Sequence, residues 1–210
     1  MTHLDLDAVI DVVVRMIIDD GFDRVDLRSI ARHLDCSEDE LTALVPSVEW
    51  IVVRTLERET NRMLHIALDN ISRDPRGGML SRIYYYVLIS VYENPFIRQL
   101  YLADPRSLGR IVSAIDGFEF QPRTAIPEQL VFDLQEAGMV RHDSHPPTVS
   151  AILTALSAGL ALSAATVDFD RAARGIEEAL RELVDTNAAD TTRGKEIYHA
   201  YAQDLASTFS

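Results

Sequence analysis

The chain has 210 residues, room for one good core, or one core plus a satellite domain of about 50 residues; 47% apolar and 25% charged residues exclude a disordered or fibrous protein. Its formal net charge of −13, from 33 acidic and 20 basic residues of which Lys195 is the one lysine, is opposite in sign to that of most nucleic-acid binders. The single cysteine, Cys36, excludes an intrachain disulfide and an all-cysteine metal site, while the short apolar runs and the N-terminus "MTHLDLD" give neither membrane span nor signal peptide, so a cytoplasmic protein with no membrane partner is expected.

"DAVIDVVVRMIIDDG" is rich in β-branched residues, which favours a strand at first sight. A helix fits better, because Leu6, Ile10, Val13, Val14 and Ile17 recur at helical spacing, Asp5 or Asp7 can cap the start, and Gly21 can turn the chain after the end. "VDLRSIARHLD" predicts a short second helix with Asp26 as N-cap and Leu27, Ile30, Ala31 and Leu34 on one stripe. After a turn through Asp35 and Cys36, Ser37 can cap a third helix that opens with Glu38, Asp39 and Glu40, carboxylates well placed against the helix dipole, and Pro46 ends it. A long helix from Val48 to about Ser72 follows, with Val52, Leu56, Met63 and Ile66 on its inner face, until "RDPRGG" breaks it. Further helices are expected at Met79–Glu93, Phe96–Leu102, Ser107 to about Asp116, Glu128–Ala137, Pro147–Val167, Phe169–Val184 and Glu196–Phe209. No segment alternates with period two, so the fold class is all-α.

Three short helices, a long connecting helix and a larger helical bundle, in that order and at this length, resemble the tetracycline-repressor (TetR) family of bacterial transcriptional regulators. The resemblance rests on "IIDDGFDRVDLRSIARHLDCS", where Gly21, Phe22, Val25, Ile30 and Ala31 fall on the family's usual positions, and on Leu41 with Pro46 and Ser47. In the second half "YENPFIRQLY", "LQEAGMVRHD" and "ILTALSAGLAL" are similar to the family's bundle helices. It implies a helix-turn-helix domain at residues 1–46 and, at residues 47–210, a bundle that binds a ligand and forms a homodimer.

The departures cluster where such a family meets DNA. Family members usually carry a small or basic residue, then Gly-Thr, Leu, Tyr, His or Tyr, Phe, and a Lys two residues after the proline; here stand Glu38, Asp39, Glu40, Leu41, Thr42, Leu44, Val45 and Val48. The face expected toward DNA is therefore degenerate: Arg28, Arg32, Ser37, Glu38, Asp39, Glu40, Thr42 and Val48. Cationic phosphate contacts supply most non-specific affinity, so DNA binding is expected to be weak or lost. Across the first 60 residues six arginines face fourteen acidic residues, and no basic face is evident.

Tyr85, Ile89, Tyr92 and Phe96 lie at i, i+4, i+7 and i+11, one helical face that reads either as core or as the lining of an apolar pocket, with Trp50, Met63, Tyr101 and Phe132 as neighbours. The resemblance favours a small apolar ligand there. A dimer interface is expected on the two helices after Pro147, through Leu156, Gly159, Leu160, Ile176 and Leu180. The six histidines are scattered without metal-binding spacing, no Gly-rich phosphate loop is present, and no nucleophile–base pair can be named. No cofactor, no metal and no catalysis are expected. The leading expectation is a ligand-controlled regulator with a weakened DNA reader; the alternative is a TetR-fold protein without DNA binding that senses a ligand or works through a protein partner.

Overall fold

The computed structural model describes residues 4–102, 126–163 and 166–207, and among them there is no strand, only an isolated bridge between Val140 and Asp185. The helices are α1 (Leu6–Asp20), α2 (Leu27–Leu34), α3 (Glu38–Leu44), α4 (Val48–Arg73), α5 (Leu80–Glu93), α6 (Pro95–Leu102), α7 (Glu128–Glu136), α8 (Pro146–Ser163), α9 (Phe169–Leu183) and α10 (Thr192–Ser207). The helix expected from Ser107 to Asp116 lies outside the described residues. The all-α architecture is as the sequence predicts. Two boundaries move by a full turn: α8 ends at Ser163, with Thr166 and Val167 no longer helical, and α10 starts at Thr192, four residues before Glu196, because Asp190 accepts from the Thr192 N–H and opens the helix early.

The chain packs as two compact units, one made of residues up to Thr60 together with those from Asn94, the other of Asn61–Glu93 together with the described residues from Ile126 on. In the first, Asp5 caps α1 by accepting from the Ala8 N–H at 2.8 Å, and Gly21 at φ 82° ends it, a left-handed value that only glycine adopts freely. The expected stripe on α1 is wider in fact: Val9, Ile10, Val12, Val13, Met16 and Ile17 are all buried, against α2 and α6. Phe22, in a short 3-10 turn, meets Phe96 of α6 edge-on with ring centroids 6.2 Å apart. On α4, Ile51, Val52 and Leu56 are fully buried.

In the second unit the inner face of α4 is Leu64, Ala67 and Ile71, while Met63 and Ile66 are half-buried. The expected stripe slips here because this part of α4 belongs to the second unit and turns a different face to that unit's core. Helix α5 packs along α9, α7 against α8, and α10 against α7, around a core that includes Leu80, Ile83, Tyr84, Leu130, Leu134, Leu153 and Tyr198. Tyr84 donates its hydroxyl to the Leu153 carbonyl at 2.8 Å, tying α5 to α8. At the start of α10, Gly194 and Gly78 bring two backbones so close that a Cβ on either would run into the other strand of chain.

Candidate nucleic-acid interface

The α2–turn–α3 segment is built from local capping. Asp26 accepts from the Ser29 N–H at 2.8 Å and from its hydroxyl at 2.9 Å, and the backbone hydrogen bond above all holds its carboxyl below the usual range. Asp35 takes the left-handed conformation, φ 52° and ψ 43°, that Asp tolerates better than most side chains, and so reverses the chain after α2. Ser37 and Glu40 then form a full capping box: the Ser37 oxygen accepts from the Glu40 N–H at 3.2 Å, and the Glu40 carboxylate accepts from the Ser37 N–H at 2.9 Å and its hydroxyl at 2.7 Å. These bonds, the backbone one first, keep the Glu40 carboxyl low.

The inner face of α3 is Leu41, with Val45 at its C-cap, both fully buried, and its outer face is Glu38, Asp39, Glu40, Thr42 and Ala43, all exposed. Arg28 on α2, expected toward DNA, donates from Nε to Glu38 at 3.0 Å. Thr42 donates its hydroxyl back to the Asp39 carbonyl at 3.1 Å. Arg32 is exposed, Ser37 is exposed but spent on the cap, and Val48, at the place of the family's lysine, is half-buried at the start of α4. A two-helix unit with a sound scaffold thus presents carboxylates outward, and Arg28, one of its two arginines, is paired with Glu38 of α3.

The aromatic and apolar residues divide between the two units. Met63, Tyr85, Ile89 and Tyr92 are each half-buried against the core of the second unit, where Tyr92 stacks on Phe169 with centroids 4.0 Å apart and planes 4° from parallel. Phe132, also in that unit, is 47% exposed. Trp50 and Phe96 belong to the first: Arg54 lies 5.5 Å over the Trp50 ring, and Phe96 is fully buried. Phe96 is not on the α5 face with Tyr92, because Pro95 starts a new helix. The Tyr101 side chain lies outside the described residues.

On α8, Leu156 is half-buried, Gly159 exposed and Leu160 buried; on α9, Ile176 is half-buried and Leu180 buried. Helix α8 carries no charged residue and shows Ala151, Ile152, Ala155, Ala158 and Gly159 to the outside, with Ile152 half exposed.

A buried polar cluster in the second unit escaped the sequence reading. Asp185, 7% exposed, accepts from the Ser81 hydroxyl at 2.6 Å and the Ser81 N–H at 3.2 Å, so it caps α5 across 104 residues; burial pushes its carboxyl up. Beside it Arg82 donates to Asp74 and, at 2.8 Å, to the Tyr86 hydroxyl, and approaches Glu177 at 3.7 Å. Only a local hint was available, the eight-residue spacing of Asp74 and Arg82 across the "RDPRGG" turn.

No protein-family model and no curated protein sequence matches the chain. Among solved structures it superposes on SmeT, the repressor of the Stenotrophomonas maltophilia multidrug efflux pump SmeDEF, with a TM-score of 0.62 at 12% identity over 90% of this chain and 94% of that one. The fold is that of TetR-family regulators. A TetR family transcription regulator from Marinobacter aquaeolei VT8 matches with a TM-score of 0.53 at 18% identity over 86% and 96% of the two chains. A transcriptional regulator from Aquifex aeolicus VF5 matches with 0.58 at 12% over 85% and 98%. SmeT in complex with triclosan gives 0.58 at 11% over 88% and 93%. The likeness in fold thus extends over 85–90% of the chain at identities of 11–18%.

Proposed function

We propose that this chain is a TetR-fold regulator in which residues 47–210 bind a small, mostly apolar ligand and residues 1–46, a helix-turn-helix, hold DNA weakly or not at all. The observation that carries the reading is the exposed face of α3, where Glu38, Asp39 and Glu40 stand together and Glu38 occupies Arg28. An arginine held by Glu38 releases no counterion from DNA, and the carboxylates exposed on α3 repel its phosphates. The ligand is supported by the half-buried set Met63, Tyr85, Ile89 and Tyr92 and by the triclosan complex of SmeT, a protein of like fold. A homodimer through α8 and α9 is supported by the chargeless, small-residue outer face of α8.

The same acidic face favours a second reading, a ligand sensor that meets a basic protein partner through α3 and never binds an operator. Titrating the protein into labelled duplex, both random and from beside its own gene, at about 50 and 200 mM salt separates the two. Weak binding that falls with salt supports the regulator, no binding at about 50 mM leaves the sensor, and tight binding with a steep salt slope refutes both accounts of the acidic helix.

A further inference from the structure

In the first unit, three helices far apart in sequence meet at one chain of polar contacts. Arg58 on α4 reaches α1 twice, donating to the Asp11 carboxylate at 2.7 Å and to the Asp7 carbonyl at 3.4 Å. The same guanidinium donates to its neighbour Glu59 at 3.3 Å. Glu59 is only 3% exposed, and its other oxygen accepts from the Asn94 amide at 3.1 Å. Asn94, 5% exposed, uses its own oxygen to accept from the Phe96 and Ile97 N–H groups at 3.0 and 3.1 Å, and so caps α6.

We infer that Arg58, Glu59 and Asn94 act as positioning residues that make the docking of α1 and the start of α6 a single coupled event. The reason is the cost of an unpaired buried group. Glu59 has few partners, and removing one from a buried carboxylate costs more than the bond is worth in water. If the start of α6 moves, Asn94 leaves Glu59; if α1 moves, Arg58 loses Asp11 and with it the geometry that serves Glu59. The edge contact of Phe22 with Phe96 adds apolar coupling but no such penalty. Helix α1 packs on both α6 and α2, so a shift at the start of α6 that moves α1 reaches the helix-turn-helix. That consequence rests on the proposed function; the coupling itself needs neither ligand nor DNA.

Hydrogen exchange on the full chain tests it. Asn94→Ala removes the acceptor of the Phe96 and Ile97 amides, so their faster exchange decides nothing. The deciding readout is α1: its buried-face amides from Val9 to Met16 should exchange roughly fivefold faster or more. Reciprocally, Arg58→Gln, which touches neither Asn94 nor α6, should speed exchange at Phe96 and Ile97 by a similar factor, because coupling between two sites is mutual. Ser37→Ala, in the same unit but off the polar chain, sets the background from a general loss of stability. Should Arg58→Gln not fold, Arg58→Lys keeps the charge and removes the forked geometry. Effects confined to α6 in one variant and to α1 in the other, above that background, overturn the inference. A failure to bind DNA or ligand bears on the proposed function alone.

Discussion

Replacing Glu38 and Asp39 together by Gln and Asn removes two carboxylates from the outer face of α3 and leaves the capping box of Ser37 and Glu40 in place. A carboxylate about 7 Å from a phosphate repels it by roughly 0.6 kcal/mol at the dielectric constant of water, and screening at about 50 mM salt leaves about 0.4 kcal/mol. The substitution also frees Arg28, whose ion pair, with side chains 76% and 51% exposed, is worth at most about 1 kcal/mol and is given up at little cost. A freed arginine that takes a phosphate steepens the slope of log K against log salt by about 0.9. Together these give about a tenfold gain in affinity for random duplex at about 50 mM salt, shrinking to less than about twofold at about 200 mM, where the slope and the screening both reduce it. Fluorescence anisotropy with a labelled duplex, for both proteins across that salt range, measures the gain and the slope. Equal affinity and equal slope for the two proteins would refute the reasoning, because carboxylates facing a phosphate backbone cannot be silent at low salt.

Gly194→Ala places a Cβ against the Gly78 backbone, which cannot give way like a side-chain tip, so a loss of about 1–3 kcal/mol is expected in urea unfolding; an unchanged midpoint would show that α10 does not seat there. Ser37→Ala breaks the capping box and should lower stability by about 1 kcal/mol, read from the thermal midpoint by circular dichroism. Asp185 has its folded pKa raised above 3.8 by burial, so the stability it contributes is full below that value and is lost as pH rises through the folded pKa. Asp185→Asn should therefore gain on the native protein from pH 4 upward, with the Ser81 hydroxyl free to accept from the new amide; a constant difference across pH would rule out a titrating Asp185. Leu156→Arg on α8 should convert a dimer to monomer in sedimentation velocity if α8 and α9 form the proposed interface, and an undisturbed dimer would place it elsewhere.

The helices of the first unit were legible because their signals are local. Asp5, Asp26 and Ser37 each cap a helix through an N–H three residues on, and a left-handed Gly21 or Asp35 ends the helix before. These contacts span so few residues that tertiary packing has little chance to override them. The acidic face of α3 was legible for the same reason: with Leu41 buried, a seven-residue helix leaves Glu38, Asp39 and Glu40 nowhere to go but outward. The stripe on α4 shows where local reading weakens. Val52 and Leu56 turn inward as the pattern predicts, but Leu64, Ala67 and Ile71 replace Met63 and Ile66 further on, since a long helix packs different faces on successive neighbours.

What the sequence determined by itself is an all-α chain with a capped, acidic third helix, because caps, helical periodicity and exposed charge are written within a few residues of one another. Tertiary structure alone decided that Glu38 takes Arg28, that Phe96 leaves the aromatic face of α5 for the core beside Phe22, and that Asp185 caps α5 across 104 residues. It also decided that Glu59 joins Arg58 to Asn94. Each of these pairs groups from separate helices, and no periodicity records which helix a buried carboxylate will face; only packing brings such a group to the partner that burial obliges it to have.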